Sequence, residues 1–561
     1  MVNVDVLVVG SGAGGLAAAN RALDKGLTVK VIEKTAYWGG TSAISGGALW
    51  LPANGQYPSD DIALARRYMQ ACIGEGADQE RIDAYLGRVG QTISFLASKG
   101  VNLIANSEYP DYCQQHEGAM PGGRTMDPQP YDGKRLGENF HTLRDQLPFM
   151  KVFGRISLSN PEGRLLSTRR KGWVKLLLTM TASYWFDLPW RMKTSRGSRL
   201  TMGSSLVAPL GEALFKRGVT IDLQHRLVEL HREASGHYRA TVETPLGRQV
   251  LDARNVILAS GGFEHNAALR SQYMADGAKV DHSASPQGAN TGDALLAAQE
   301  LGSAVINGGN AWWAPIVRGP MAGVEDAPYV LFMERASPGG IIVNKNGVRF
   351  TNEAKSYNDF GLDMIEDQSR TGGTSDVWLI FDAGFRKRYM VGPLMAGSIQ
   401  PDKAVPSDWF GRVVYRADNL SALAAQIDIP AEGLEATVSR FNAGAEQNRD
   451  PDYGRGDNVY DRYFGDSNFP NPNIAPLKDG PFYAMRVMLG ELGTNGGLST
   501  DRDGAVLDIN RIRIPGLYAI GNTAASVMGS SYPGAGGTLG PAVSFGIAAA
   551  DAIAAQLGSQ T

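Results

Sequence analysis

The sequence predicts an α/β protein: a Rossmann-like nucleotide-binding domain, built on a parallel sheet with helices, together with a second domain. Three observations carry this. Val4, Val6 and Val8, with Leu7 and Val9 between them, form an apolar run that reads as a strand buried on both faces. That run leads straight into Gly10, Gly12 and Gly15, the G-x-G-x-x-G spacing, and then into a helical stretch from Leu16 to Asp24. The chain has 561 residues, too many for one simple core, so two domains are expected.

Each part of the opening unit has a physical reason. Gly10 allows the tight turn, Gly12 lets the backbone approach a pyrophosphate, and Gly15 lets helix and strand pack closely. The anion sits on unpaired amides at the helix N-terminus. A second strand from Thr28 to Ile32 ends at Glu33, an acid placed to accept hydrogen bonds from a ribose 2′-OH and to repel a 2′-phosphate.

Composition excludes several classes of function. The apolar and charged fractions, 43% and 20%, are those of an ordinary globular protein, and a formal net charge of −3 argues against a nucleic-acid partner. Cys72 and Cys113 are the only cysteines, which excludes a disulfide framework and a cysteine-built zinc or iron–sulfur site. The seven histidines are scattered without i, i+3 or i+4 histidine partners, so no metal site is expected. The first strand begins almost at Met1 and leaves no room for a signal peptide, so a cytoplasmic location is expected.

After Glu33 comes TAYWGGTSAISGGALWLP, in which small and hydroxyl residues let backbone touch a flat ring system. GSGAGG, Glu33 and GGTSAISGG together resemble the flavoprotein family of fumarate reductases and 3-ketosteroid dehydrogenases. The resemblance implies FAD, and a fold in which a Rossmann-like FAD-binding domain carries an inserted α+β catalytic (cap) domain. No histidine lies in the GGTSAISGG loop, so the FAD is expected to be noncovalent. The implied FAD-binding residues here are Gly10, Gly12, Gly15, Glu33, Lys34, Gly40, Thr41, Ser42, Ser45, Gly46 and Gly47. The domain limits read as 1–268 for the first part of the FAD domain, 269–480 for the cap and 481–561 for the return.

Residues 59–100 read as helical, with Gly100 as a C-terminal cap. The polar loop that follows holds PDY and PGG-x-R. In the resembled family this pattern places a tyrosine at the active site, and Tyr112 matches it. Residues 149–200 form an unusual insert. Arg169, Arg170, Lys171 and Lys175 precede or enter an aromatic stretch with Trp173, Tyr184, Trp185, Phe186 and Trp190; Arg191, Lys193, Arg196 and Arg199 follow. The apolar part falls short of the ~20 residues a spanning helix needs. Tryptophans flanked by basic residues suit a headgroup layer, so peripheral docking on the inner face of the cell membrane through Arg169–Arg199 is one expectation. A greasy access route to the active site, a hairpin packed on the body and an oligomer contact are the others.

Residues 202–217 read as a helix, and the next residues alternate as strands. In the resembled flavoproteins the QHRLVEL strand lies by the adenine, which implies a backbone contact from Val228. VILASGGF returns the chain to the FAD domain and implies contacts from Ser260 and Gly261. Within the cap, IIVNKNGVRF reads as a hairpin turning at Asn346-Gly347. RF-x-NE is a family marker that leads to the active-site position; fumarate reductases place an arginine there, and this chain has Tyr357, as steroid dehydrogenases do. Asp450 to Asp466 resembles a further steroid-dehydrogenase segment, for which a structural role is expected. The return segment implies flavin contacts from Asn495, Gly521, Asn522, Gly537 and Leu539; a small-residue helix then reads from Gly540 to Gln556, and its dipole would face the flavin.

SSYPGAGG is the most specific motif. In 3-ketosteroid delta-1-dehydrogenases a Tyr-Pro-Gly-x-Gly run binds the ketone oxygen, which implies Tyr532 and the Gly536 N–H as two donors to one oxygen. The implied reaction converts a 3-keto-4-ene steroid to a 1,4-diene-3-one. Tyr357 takes the C2 proton, aided by Tyr112, and the C1 hydride goes to flavin N5. A quinone-like electron acceptor and a role in sterol (cholesterol) degradation belong to the same expectation. The alternatives are a delta-4-(5-alpha)-ketosteroid dehydrogenase, a fumarate-type reductase, or a membrane-associated flavoprotein that only passes electrons.

Overall fold

A computed structural model describes residues 3–167, 170–274, 279–321, 323–372 and 376–558. Strand β1 (Asn3–Val9) sends alternate side chains into two separate cores: Val6 and Val8 join one, Leu7 and Val9 the other. Helix α1 (Ala13–Asp24) follows the glycine turn, and β2 (Val29–Glu33) pairs parallel to β1. Residues 59–100 fold as three helices, the first being α2 (Ile62–Ile73), and the last ends before Gly100 in the left-handed region. Helix α3 (Trp173–Phe186) lies in the insert, and α4 (Met202–Phe215) packs on α1.

Strands β3 (Ile221–Leu223), β4 (Arg226–Arg232), β5 (Tyr238–Thr244) and β6 (Gly247–Leu258) complete most of the first sheet. Its order is β3-β2-β1-β6-β5-β4, parallel through β3, β2, β1 and β6, with β4, β5 and β6 as an antiparallel meander.

The second sheet is antiparallel and contains β7 (Ala311–Met321), β8 (Val324–Val330), β9 (Gly340–Val343), β10 (Val377–Phe381), β11 (Tyr415–Ala417) and β12 (Phe482–Thr494). Helix α5 (Tyr357–Thr371) packs on β7. Strand β12 is central here, bonded to β7, β10 and β11. The sequence boundary at 481 therefore cuts off a strand of the cap sheet. The return to the first sheet comes later, at β13 (Ala505–Leu507) and β14 (Arg513–Ala519), which pairs parallel to β6.

One further expectation is corrected. The expected hairpin at Asn346-Gly347 makes its turn, with the Asn344 N–H donating to the Val348 carbonyl at 2.9 Å, but the return arm forms no strand. Arg349 is drawn into the interior by Glu353 and Asp450 instead. The last helix, α6, runs Leu539–Gly558, and by length and composition it could cross a membrane. It is a core helix: 67% of its apolar window is buried, and it crosses α1 where a Cβ on Gly546 would lie 2.7 Å from the Gly14 carbonyl oxygen.

Thr168 and Arg169 lie outside the described residues. The described residues of the insert pack on the body through Trp190, edge-on to Phe140, and through Arg164 over the Tyr463 ring at 3.8 Å. Its outer side leaves Leu178, Trp185, Phe186, Leu188 and Met192 exposed, Phe186 by 82% and Met192 by 89%.

Candidate active site

The glycine turn is built for close backbone approach. Gly10 has φ +112°, and a Cβ there would lie 2.3 Å from the Ala259 carbonyl oxygen; a Cβ on Gly15 would lie 2.2 Å from the Gly10 oxygen. Gly12 caps α1 without a side chain, and its nearest obstacle is Ser42 Oγ at 3.4 Å. Ser42 accepts from the Ala13 N–H at 3.1 Å and so ties the GGTSAISGG loop to the start of α1. Gly40 (φ +56°) faces Gly12, and Thr41 accepts from Asn290. Ser45 bonds back to the Ser42 carbonyl, while Gly46 and Gly47 pass close to Asn160 and Met202.

Glu33 is buried at the end of β2, where its carboxylate accepts from Ser11 and Thr35. The backbone of residues 224 and 225 bonds to Thr35 and Glu33, which brings the start of β4 to the same edge. Val228 is the extra residue of a β-bulge there, left out of the β4–β5 ladder, so its peptide groups are spared from sheet pairing. The Lys34 ammonium is engaged by Asp293 at 2.9 Å and by Thr291, which clamps the β2 end to the segment holding those two residues.

Opposite the glycine turn, Gly261 (φ +82°) accepts from Thr523 through its carbonyl, directly after Ser260. Both side-chain amide atoms of Asn495 are buried without a protein partner. A pocket lies between Trp312, Ile520, Asn522, Thr538 and Phe545, beside Gly521. Gly537 packs beneath the Tyr532 ring, and Leu539 opens α6. The open cradle, the side-chain-free helix start and the orphaned Asn495 amide fit a dinucleotide with a ring system that offers both donors and acceptors.

The three tyrosines separated in sequence meet at the junction of the two sheets. Tyr112 donates to the Tyr357 hydroxyl at 3.2 Å, and the Tyr357 and Tyr532 ring centroids are 5.4 Å apart. Different elements fix each one. Tyr357 opens α5, whose N-cap Ser356 bonds the Asp359 N–H. The Tyr112 N–H donates to the Pro533 carbonyl at 2.9 Å, so the two active loops are stitched together. Asp111 holds the same loop through Trp50 Nε1 and Arg124. Gly536 has φ +94°, and a Cβ there would lie 2.5 Å from the backbone of residues 48–50, so the YPGAGG loop lies flat on the GGTSAISGG loop.

Burial pushes the Tyr357 hydroxyl well above the ordinary tyrosine range, and the bond from Tyr112 acts the other way. Burial also raises Tyr532, against the bonds from Tyr357, Thr538 and the Gly536 N–H.

Several neighbours carried no recognisable sequence signal. Tyr109 bonds to Tyr112 at 3.3 Å and stacks on Tyr463. Tyr460 packs on Tyr112, Phe332 on Tyr357 and Trp312 on Tyr532. The segment from Asp450 to Asp466 supplies Tyr460 and Tyr463 of this wall, and Arg455 anchors that segment to the Gly340 and Ser337 carbonyls.

Comparison with known proteins places the chain beside characterised enzymes. Residues 5–539 match the model of the FAD binding domain family. A 3-oxosteroid 1-dehydrogenase of Mycobacterium tuberculosis (strain ATCC 25618 / H37Rv) is 37% identical, covering 99% of both chains. A 4-oxocyclohexanecarboxylate 2-dehydrogenase of Sinomonas cyclohexanicum is 36% identical over 98% of this chain and 93% of its own. The structure of 3-ketosteroid delta1-dehydrogenase from Sterolibacterium denitrificans, in complex with 1,4-androstadiene-3,17-dione, superposes with a TM-score of 0.95 at 41% identity, covering 99% of this chain and 100% of that one.

Proposed function

The chain belongs to the FAD-binding family that contains the 3-oxosteroid 1-dehydrogenases, and on that premise we propose that it removes hydrogen from C1 and C2 of a 3-keto-4-ene steroid. The observation that carries this reading is the meeting of Tyr112, Tyr357 and Tyr532 above the glycine loops. FAD, held noncovalently in the cradle described above, supplies the acceptor for the hydride that leaves C1.

The chain's own residues do the rest. The Tyr532 hydroxyl and the Gly536 N–H donate to the C3 ketone and stabilise the charge that builds on its oxygen; one such donor contributes about 3–4 kcal/mol. The C2 proton, acidified by that ketone, passes to the Tyr357 oxygen. Tyr357 enters this step as the phenolate and leaves it as the phenol; Tyr112 donates to the phenolate beforehand and favours that ionised form. Loss of the C2 proton and the C1 hydride leaves the C1–C2 double bond. The aromatic wall of Trp312, Phe332 and Tyr460 keeps water out and matches a flat apolar ring system.

A smaller cyclic keto acid, the chemistry in the Sinomonas relative's name, would call for a cation beside the tyrosines. Arg335, a nearby arginine, gives Nε and Nη1 to the Leu331, Glu353 and Lys355 carbonyls, and its buried Nη2 has no hydrogen-bond partner among the described residues. The steroid bound in the Sterolibacterium denitrificans enzyme favours the steroid. A quinone-like molecule then takes the electrons onward.

The decisive experiment mixes the yellow protein anaerobically with androst-4-ene-3,17-dione or cholest-4-en-3-one. Bleaching of the flavin band with a 1,4-diene-3-one by mass is expected. No bleaching with either steroid, while dithionite still bleaches the band, would overturn the reading.

The insert adds a second function. Its exposed Trp185, Phe186, Leu188 and Met192, with the exposed Lys171, Lys175 and Lys193 nearby, support docking on the anionic inner face of the cell membrane. Co-sedimentation with anionic vesicles tests it.

A further inference from the structure

Cys72 meets Cys113 and His116, which stand three residues apart, although it lies far from them in sequence. Their ligating atoms all lie within 4.8 Å of one another. Cys72 sits on the last turn of α2. Cys113 and His116 share one tight turn, closed by the His116 N–H donating to the Cys113 carbonyl at 3.1 Å, which turns both side chains toward α2. Gly118 makes that approach possible: a Cβ there would lie 2.6 Å from the Leu64 carbonyl oxygen of α2.

We propose that this cluster binds one soft divalent cation, zinc being the type, and that the bound cation restrains Tyr112. Two sulfurs and an imidazole suit zinc and its relatives better than magnesium or calcium, which prefer oxygen. In a tetrahedral zinc site, bonds of about 2.3 Å to sulfur and about 2.0 Å to nitrogen leave ligand atoms roughly 3.5–3.8 Å apart. From separations of at most 4.8 Å, the three groups therefore need to close by at most about 1.3 Å. Asp359 Oδ2, 3.9 Å from Cys113 Sγ, or a water completes the fourth position. Cys113 is buried, but Cys72 and His116 are half-exposed and give an ion a way in. Binding breaks two S–H bonds, releases both protons to solvent, and forms two metal–sulfur bonds and one metal–nitrogen bond as the ion sheds waters.

The site spans three elements that hold the tyrosines. Cys113 directly follows Tyr112. Asp359 lies on the first turn of α5, which begins at Tyr357. Tyr68, one turn before Cys72 on α2, accepts from the Cys113 N–H at 3.1 Å and donates to the Pro533 carbonyl at 2.6 Å. Drawing Cys113 toward Cys72 shifts the Tyr112 hydroxyl against Tyr357, so an occupied site slows the reaction. This second half rests on the proposed role of Tyr112, and the metal-binding half does not.

The test uses the FAD-loaded protein with reduced thiols, stripped by a chelator and dialysed against zinc. One zinc per chain is expected by elemental analysis, and cobalt in its place gives a thiolate-to-cobalt charge-transfer band in the difference spectrum. Cys72→Ser and His116→Ala should each weaken zinc binding at least about tenfold while keeping zinc-free steroid turnover. Zinc should slow steroid-driven flavin bleaching in the parent protein but not in His116→Ala. No retained zinc and no thiolate band, or equal zinc retention by both variants, overturns the site. One zinc per chain with unchanged bleaching upholds the site and overturns the restraint.

Discussion

The hydroxyl of Tyr112 lies 3.2 Å from that of Tyr357, across 245 residues of chain. That contact gives the phenolate its hydrogen-bond donor in a place where burial alone opposes ionisation. Removing the acceptor is the plainest probe. Tyr357→Phe keeps the ring and its packing against Phe332, so FAD content and steroid binding should stay near those of the parent. Steroid-driven flavin bleaching should slow by at least ~100-fold in stopped flow. Unchanged bleaching removes Tyr357 as the base.

The pH dependence follows with a definite sign. Tyr357 acts as a base only when ionised, and burial pushes its ionisation well above the ordinary tyrosine value. Bleaching should therefore accelerate as pH rises through the alkaline range, by about tenfold per pH unit while the ionised fraction is small. Tyr112→Phe removes the hydrogen bond that lowers this ionisation, so the rising limb should move to higher pH. A flat profile, or a limb that stays put in Tyr112→Phe, contradicts the assigned roles.

Tyr532 separates the donor function from the base. Tyr532→Phe leaves the Gly536 N–H as a lone donor to the ketone, and the Gly536 loop stays pinned on residues 48–50. The maximal bleaching rate should fall by about 10²–10³-fold. The pH limb of Tyr357 should remain. A variant that only weakens steroid binding, with the saturated rate intact, would show that the hydroxyl holds substrate without stabilising the developing charge.

The sequence made the opening strand, glycine turn, α1 and Glu33 legible because each obeys a local rule, and Gly10 and Gly15 sit where a Cβ has no space. The site was legible only through resemblance. Nothing local joins Tyr112, Tyr357 and Tyr532, which are assembled by the seam between two loops at Pro533. Tyr109, Tyr460 and Tyr463 were missed because an aromatic lining a site and one filling a core have the same sequence signature. Strand β12 was assigned to the FAD domain because strands of both sheets read as apolar runs, and pairing is not visible in one strand alone. Cys72, Cys113 and His116 were passed over because only the fold of α2 onto the Tyr112 loop unites them.

Arg349 tests the brace behind the site. It is buried between Glu353 and Asp450, each at 2.7 Å. Burial opposes both carboxylates, but the Arg349 charge and bonds prevail and hold them below the usual carboxylate range. Arg349→Met leaves the buried Asp450 carboxylate without its ion-pair partner and Glu353 with Arg455 alone, and should cost about 3–5 kcal/mol in denaturant unfolding. The sign with pH is fixed. A depressed folded-state ionisation contributes stability above the unfolded value of about 4 and loses it as pH falls through the folded value. The parent should therefore lose stability on acidification below about pH 4 more steeply than Arg349→Met does. Equal slopes would mean that the triad carries no linkage.

The outer side of the insert makes the last prediction. Leu178, Trp185, Phe186, Leu188 and Met192 are exposed, whereas Met180 and Tyr184 are buried in a cluster with Ile156 inside the insert and Trp190 is buried against Phe140 of the body. The outer residues can thus be changed without touching the packing. Phe186→Ser with Leu188→Ser and Met192→Ser should leave unfolding and soluble-steroid turnover unchanged. Each replaced apolar side chain removes roughly 1.5–3 kcal/mol of burial if it enters the acyl boundary. Binding to anionic vesicles should consequently fall by more than tenfold, and neutral vesicles should bind the parent less well than anionic ones. Equal sedimentation of parent and variant with anionic vesicles would remove the membrane role and leave the insert as a hairpin that braces Tyr463 through Arg164.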